Sequence, residues 1–149
     1  MTHARSPELV GIERIRVGDV FRCTEAFGAQ EMAQFAALSS DQSAIHTDPQ
    51  TARRFGFPDR LQYGFLLTAL LSRIVGQNFD NAICAAVSIQ FIRPAFPGDK
   101  VEVSAEVEQI QLSMRSVTLK ITMTCEAGIV ARGKLTTVFL AEPENKTAR

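Results

Sequence analysis

The chain has 149 residues, 46% of them hydrophobic, and its 16 basic side chains balance 16 acidic ones. This length fits a single domain with one buried core, and the zero formal net charge, without a dense basic stripe, argues against a nucleic-acid partner. The longest strongly apolar segment, 65–75, is about half the roughly 20 residues that a membrane-spanning helix requires, and the N-terminal stretch MTHARSPELV lacks the apolar core of a secretory signal. These features predict a soluble cytoplasmic protein with no membrane or nucleic-acid partner.

The three cysteines and two histidines limit the chemistry that the chain can carry. Cys23, Cys84 and Cys125 are odd in number, widely spaced and located in predicted strands, so we expect buried free thiols rather than disulfides or a CxxC metal site. His3 lies in the polar N-terminal segment, which we expect to be mobile, and two histidines cannot form a His-rich metal site. No metal is therefore expected, and His46 alone would provide any imidazole chemistry.

The first half of the chain predicts one strand and two short helices. Residues 1–16 and 141–149 are polar tails with little periodicity, which leaves 17–140 as one folded domain. A strand is predicted over 17–27, and Gly28 opens a helix that ends at Leu38. An exposed loop over 39–43 follows. Asp48 before Pro49 predicts a second helix start, because the carboxylate can accept from first-turn amides, and that helix would stop near Gly56.

A long apolar helix and four strands complete the predicted fold. The segment GFLLTALLSRIV, 64–75, is apolar nearly all round, which is typical of a helix enclosed by other structure, and Gly76 would end it. Alternating patterns then predict strands over 85–93, 101–108, 117–125 and 129–140, joined by short connections that favour antiparallel hairpins. The expected class is α+β, with a mostly antiparallel sheet wrapped around the buried helix.

The stretch SSDQSAIHTDP, 39–49, carries the candidate catalytic pair. An Asp in a turn commonly caps nearby amides, and a lone His is commonly structural, so neither residue alone indicates catalysis. His46, however, stands just before the capped helix start, where the chain is fixed. Across a compact loop, Asp41 and His46 could share one water molecule, the carboxylate accepting its proton and the imidazole orienting it.

The head of the apolar helix supplies a third candidate element at Tyr63 and Gly64. A helix N-terminus presents unpaired N–H groups and a partial positive charge, which suit a developing oxyanion, and Gly lets a carbonyl approach the backbone closely. The alternative is a Gly that merely eases helix entry. Ser72 lies two helical turns further on, roughly on the face of Gly64, where it would either bond the carbonyl of the preceding turn or line a pocket.

Together these residues resemble the hydratase signature F-A-x-x-S-x-D-x-N-P-x-H-x-D of the MaoC-like dehydratases, a family that includes the (R)-specific enoyl-CoA hydratases. The stretch from Phe35 to Asp48 carries Ser39, Asp41 and His46 in register with that signature. Further matches follow in order along the chain: Ala52 and Phe55; Gly64, Leu66 and Ser72 on the central helix; and Phe91, Pro94, Gly98 and Asp99 in an F-x-x-P-x-x-x-G-D hairpin. The resemblance covers about 17–139.

The resemblance implies a hot-dog fold, a homodimer and a defined chemistry. In this family, the residues matching Asp41 and His46 activate a water that adds to a trans-2-enoyl thioester and gives the (R)-3-hydroxyacyl product. The amide matching Gly64 holds the thioester oxygen. Ser39, Tyr63 and Ser72 are the expected substrate-binding residues. No separate cofactor is expected, because the CoA or acyl-carrier thioester is part of the substrate.

The sequence departs from the family signature at three places in the site. Ser43 and Ala44 replace Asn-Pro, Ser40 replaces the Gly before the Asp, and Tyr63 replaces the His before the helix Gly. Loss of the Pro is expected to loosen the loop, and loss of the Asn removes an amide that could brace the site. We therefore expect Asp41 and His46 to be held less firmly. Two alternatives to a hydratase stay open: an acyl-CoA thioesterase, and a non-catalytic acyl-thioester-binding protein.

Overall fold

The computed structural model describes residues 8–143, which fold around one hydrophobic core. Four helices and five strands succeed one another along the chain: β1 (Val20–Glu25), α1 (Ala29–Ser39), α2 (Ala44–Thr47), α3 (Pro49–Arg54), α4 (Gly64–Asn78), β2 (Ala82–Phe91), β3 (Val101–Gln111), β4 (Ser116–Cys125) and β5 (Gly128–Phe139). The predicted elements are all present, and the predicted central helix continues past Gly76 to Asn78.

The five strands form one antiparallel sheet in the order β1-β3-β4-β5-β2. The tight connections after β3 and β4 form antiparallel hairpins as predicted, whereas the predicted hairpin between β2 and β3 is wrong, because β2 pairs with β5 at the other edge of the sheet. Val103 of β3 lies opposite Cys23 of β1 and Met123 of β4. The inward-facing residues of these strands are almost fully buried, as their two-residue alternation predicts. They share the core with the apolar face of α4, so the sheet wraps the helix. The α+β class and the hot-dog arrangement are confirmed.

The prediction of a polar tail over 1–16 is wrong for residues 8–16. Val10 forms a bridge with Phe79 next to the end of α4, and a 3-10 turn over Ile12–Arg14 follows. Ile12 and Ile15 are both buried in the core. Two apolar side chains in a polar segment give too weak a period to predict an element, but each closes part of the core. His3 and most of the predicted C-terminal tail fall outside the described residues.

The structure also revises the predicted environments of the central helix and the cysteines. One face of α4 is open, with Phe65 74% exposed and Ser72 exposed beside β2. Cys84 on β2 is exposed as well, whereas Cys23 and Cys125 are half-buried, and all three thiols are free. The prediction of enclosed surroundings fails here because β2 is the last strand of the sheet and no further element of residues 8–143 covers it.

No helix among residues 8–143 is long and apolar enough to cross a lipid bilayer.

Candidate active site

The loop after α1 holds the Asp41 carboxylate through short, local hydrogen bonds. Ser40 takes a left-handed conformation (φ 59°) that ends α1, and the Ser39 hydroxyl then accepts from the Asp41 amide at 3.1 Å. Ser43 donates twice to Asp41 Oδ1, from its amide at 3.0 Å and from its hydroxyl at 2.5 Å. The pKa of Asp41 is lowered most by the hydrogen bond from the Ser43 hydroxyl and next by that from the Ser43 amide. The neighbouring His46 lowers it further. The side chain is thus an ionised acceptor at neutral pH.

His46 is presented by α2, a single helical turn that the sequence did not predict, between the predicted loop and the helix start at Asp48. Its Nδ1 lies 2.8 Å from the carbonyl oxygen of Leu61, and the Leu61 amide donates to the Ile45 oxygen at 3.1 Å. A carbonyl can only accept, so Nδ1 carries the hydrogen of this bond. When Nδ1 carries the only ring hydrogen, Nε2 is free to accept.

Tyr63 contacts both the Asp41 loop and the His46 ring. Its hydroxyl donates to the main-chain oxygen of Asp41 at 2.7 Å, and its ring stacks on the imidazole with centroids 4.2 Å apart and planes inclined by 28°. Phe35 packs against the same phenol ring, which is only 2% exposed. Burial, and secondarily the charge of Asp41, raises the pKa of Tyr63, so its hydroxyl keeps the donated proton at neutral pH.

Gly64 opens α4 directly after Tyr63 and lies against an aromatic ring. A Cβ at this position would be 2.7 Å from Cζ of Phe91 and 2.9 Å from its Cε1. Only a residue without a side chain therefore leaves the Phe91 ring in its place. Because the first amides of a helix have no acceptor within it, the Gly64 N–H is available to a ligand.

One cavity of about 410 Å³ joins these groups. We call it the helix-head cavity, because the first residues of α4 form its floor. Its polar lining residues are Asp41, His46, Gln62, Tyr63 and Arg93, together with the main chain at the head of α4, and much of its remaining wall is apolar or aromatic, as in most small-molecule sites. The lining residues are Asp41, His46, Phe57, Leu61, Gln62, Tyr63, Gly64, Phe65, Leu67, Phe91, Ile92, Arg93, Pro94, Ala95 and Val130.

The predicted site residues divide into two groups. Asp41, His46, Tyr63 and Gly64 all line the helix-head cavity. Ser39 is instead engaged with the Asp41 amide. Ser72 lies in a separate space of about 460 Å³ between α4 and β2, which we call the β2 groove; it is lined by Phe65, Thr68, Leu71, Ser72, Cys84, Val87, Ile89 and Phe91.

Sequence reasoning did not identify Ser43, the main-chain carbonyl of Leu61 or Phe91 as parts of the site. Ser43 was noted only as a loss from the signature, although its hydroxyl and amide both hold Asp41. Leu61 acts through a carbonyl that every residue type possesses, so no sequence signal could reveal it. Phe91 was matched to the hairpin motif without a role. Across the described part of the chain, no three His, Cys, Asp or Glu side chains are grouped closely enough to hold a metal ion.

Comparison with known proteins places this architecture in one family. The model of the MaoC-like domain matches residues 15–129. The chain is 33% identical over 121 residues to the (R)-specific enoyl-CoA hydratase of Aeromonas caviae, covering 80% of this chain and 90% of that protein. It is 34% identical over 87 residues to a mitochondrial 3-hydroxyacyl-[acyl-carrier-protein] dehydratase of Arabidopsis thaliana, covering 58% of this chain and 52% of that protein.

Solved structures show the same fold. The A. caviae (R)-hydratase superposes with a TM-score of 0.81 at 30% identity, covering 86% of this chain and 99% of that one. An R-hydratase of Pseudomonas aeruginosa superposes with a TM-score of 0.79 at 24% identity, covering 95% and 97%. The matched family model spans most of the described chain, and the chain therefore belongs to the MaoC-like dehydratase family and is a hydro-lyase.

Proposed function

We propose that this protein hydrates trans-2-enoyl thioesters to (R)-3-hydroxyacyl thioesters, and catalyses the reverse dehydration, with Asp41 and His46 as the catalytic residues. The observation that carries the proposal is the shared cavity, where a carboxylate, an imidazole and a helix N-terminus meet among apolar walls. The relatives named (R)-specific enoyl-CoA hydratase and 3-hydroxyacyl dehydratase support this reaction class.

The hydrogen-bond pattern supports a division of work between the two side chains. Asp41 is ionised because its pKa is lowered, and His46 offers Nε2 as an acceptor because Nδ1 donates to Leu61. A water molecule that donates one hydrogen to each group directs its oxygen at the β carbon of the enoyl group. The water oxygen bonds to the β carbon as the carbon–carbon double bond opens, the Asp41 carboxylate takes one proton from the water, and that proton is then delivered to the α carbon, so that one H₂O is added and the carboxylate is regenerated.

The head of α4 would stabilise the charge that develops during this addition. As the β carbon is attacked, electron density moves onto the thioester oxygen, which becomes enolate-like. The Gly64 N–H and the positive end of the helix dipole would face that oxygen. Loss of one such donor in other enzymes costs roughly 3 to 4 kcal/mol of activation free energy.

The open edge of the sheet supports a homodimer. β2 is an edge strand whose residues are mostly exposed in the single chain, and Ile83, Val87 and Phe91 are about half exposed. Exposed apolar edges are a hazard that proteins normally cover. A second copy, related by a twofold axis, would cover β2 and the open face of α4 with the same surface.

The carrier of the acyl group and the location of the protein remain predictions. The relatives include a CoA-dependent hydratase and two mitochondrial dehydratases named for acyl-carrier protein. We retain both thioesters as candidate substrates. A cytoplasmic location is likewise retained as a prediction.

The test is turnover of crotonyl-CoA, followed by loss of the enoyl absorbance, with chiral analysis of the 3-hydroxybutyryl product. We expect the (R)-product, and we expect Asp41→Asn and His46→Gln each to lower kcat by about 100-fold to 10,000-fold, the usual range for a lost general base. Asp80→Asn is the matched control, because Asp80 is exposed and is not among the residues that line the cavity. Its activity should equal that of the wild type.

Other results would favour the two alternatives. Release of free thiol with the enoyl double bond left intact, measured with a thiol reagent, indicates a thioesterase. Binding of crotonyl-CoA and of longer or branched enoyl thioesters without turnover of any of them indicates a non-catalytic acyl-binding protein.

A further inference from the structure

We propose that Tyr63 is a positioning residue that fixes Asp41 and His46 relative to one another, and that together with Ser43 it replaces the Asn-Pro brace missing from this chain. The inference rests on the proposed function and deepens it. It also reverses the expectation that the altered loop holds the two residues less firmly.

The case begins with the fact that one side chain touches both candidate catalytic residues. The Tyr63 hydroxyl donates to the Asp41 main-chain oxygen at 2.7 Å, and the ring lies nearly parallel to the His46 imidazole at 4.2 Å. The hydrogen bond fixes the distance between the main chain at Asp41 and the N-terminus of α4. The ring contact restricts rotation of the imidazole, whose other constraint is the hydrogen bond from Nδ1 to Leu61.

Tyr63 can serve as a reference point because it is itself immobilised. It is 2% exposed, it is the N-cap residue of the longest helix, and Phe35 packs on its ring. The main-chain N–H of the preceding residue, Gln62, donates to the Ala95 carbonyl oxygen at 2.8 Å. A phenol also reaches further from the main chain than the imidazole of the family signature. That length allows the hydroxyl to meet the main chain of the loop across the site.

Ser43 supplies the part of the brace that Tyr63 does not. It occupies the N-cap position of α2, where a serine hydroxyl would ordinarily accept from an amide of the first turn. No such capping bond forms, and the hydroxyl donates to Asp41 Oδ1 instead. Ser43 therefore orients the carboxylate, whereas Tyr63 holds the main chain that carries it. Both contacts come from residues that differ from the family signature.

Accurate relative placement matters because the two groups must engage one water molecule. Errors of about 1 Å in the placement of reacting groups can lower a rate by about 100-fold, even when they arise outside the reacting atoms. Loss of the Tyr63 hydroxyl would leave both reacting groups present but free to separate. The effect should therefore appear in kcat rather than in substrate binding.

The experiment compares Tyr63→Phe with Thr47→Val in the crotonyl-CoA assay. Thr47 is the matched control, because its hydroxyl also donates to a main-chain carbonyl of this loop, that of Ser43 at 3.2 Å, without a hydrogen bond to Asp41 or the His46 ring. We expect Tyr63→Phe to lower kcat by about 10-fold to 100-fold with KM within about twofold of wild type. Thr47→Val should stay within about twofold in both constants. Tyr63→Leu, which also removes the stacked ring, should lower kcat further.

A second readout does not depend on activity. The chain has only two histidines, so proton NMR shows two imidazole Cε1–H signals. The stacked phenol ring should shift the His46 signal by its ring current. Tyr63→Leu should abolish that shift, whereas Tyr63→Phe and Thr47→Val should retain it.

Each outcome has one meaning. If the wild type turns over crotonyl-CoA and Tyr63→Phe has the same kcat, the positioning role of Tyr63 is wrong. The proposed function would still stand. The same conclusion follows if Thr47→Val loses as much kcat as Tyr63→Phe, since the loop as a whole would then be responsible. A wild type inactive on every enoyl thioester would overturn the proposed function, and the positioning role with it.

Discussion

The hydroxyl of Ser43, with help from the Ser43 amide, lowers the pKa of the Asp41 carboxyl group. Ser43→Ala removes the hydroxyl and retains the amide, so the pKa of Asp41 should rise towards its ordinary value. Under the proposed mechanism the reaction needs the ionised form, so activity should be lost as the pH falls through this pKa. The acid limb of the profile of kcat/KM against pH should therefore move to higher pH in Ser43→Ala.

Ser39→Ala is the control for this pH shift, because the Ser39 hydroxyl accepts from the Asp41 amide and is not hydrogen-bonded to the carboxylate. Both variants retain the other titratable or charged groups near the site. These are His46, whose charge acts on Asp41, and Tyr63, on which Asp41 and Arg60 act. An acid limb that stays in place in Ser43→Ala, or moves equally in Ser39→Ala, would contradict the assignment.

At the residue scale, the sequence singles out Asp41 and His46 as candidates, and both line one cavity, but it does not show what holds them. Side-chain chemistry and spacing single out a carboxylate and an imidazole beside a capped helix. The contacts that fix them come from Tyr63, 22 positions after Asp41, and from a carbonyl at Leu61, 15 positions after His46. Such contacts depend on how the helices meet, which a local pattern does not encode.

The head of α4 is the element whose geometry can be tested most directly. In Gly64→Ala, the new methyl group would lie within 3.0 Å of three Phe91 ring atoms. Phe91 is 46% exposed, so its ring can swing aside, but it borders the helix-head cavity and would narrow the approach to the Gly64 amide. We expect kcat/KM for crotonyl-CoA to fall by about tenfold or more, the loss typical of an impaired oxyanion donor.

The melting temperature of Gly64→Ala distinguishes a local steric effect at the helix head from unfolding of the protein. Alanine is favoured over glycine in a helix by up to about 1 kcal/mol, which offsets part of the clash, so the melting temperature of Gly64→Ala should change little. The double variant Gly64→Ala/Phe91→Leu should recover part of kcat/KM, with Phe91→Leu alone as its control. Wild-type kcat/KM in Gly64→Ala would show that the helix head does not contact the substrate.

Elements with a strong period were predicted more accurately than those fixed by tertiary contacts. β3 alternates over 101–108 and β4 over Ser116–Cys125, and the Asp48 cap of α3 accepts from the Gln50 and Thr51 amides as predicted. α2 was missed because four residues are too few to show a helical period. α4 continues beyond Gly76 because Gly is tolerated within a helix whose neighbouring turns pack in the core.

At the scale of the molecule, the sheet and its central helix follow from the sequence, whereas the open edge does not. Alternation in β3, β4 and β5 shows which residues face inward. β2 is apolar at positions that the single chain leaves exposed, and a buried strand would have the same composition. Strand order is what distinguishes the two, since β2 pairs only with β5 among the described strands.

The open edge leads to the prediction on assembly. Wild-type protein should elute with a mass of about 33 kDa, twice the 16.4 kDa of the chain, in size-exclusion chromatography with light scattering. Val87→Lys places a charge in the β2 groove, where Val87 is 52% exposed, so the charge would be buried against the second copy. The variant should therefore shift towards 16.4 kDa at low micromolar concentration.

Leu38→Lys is the control, because Leu38 is 86% exposed on α1 and is not among the residues that line the β2 groove. A wild-type mass of 16.4 kDa, or a Val87→Lys variant that remains dimeric, would show that β2 is not the contact between copies.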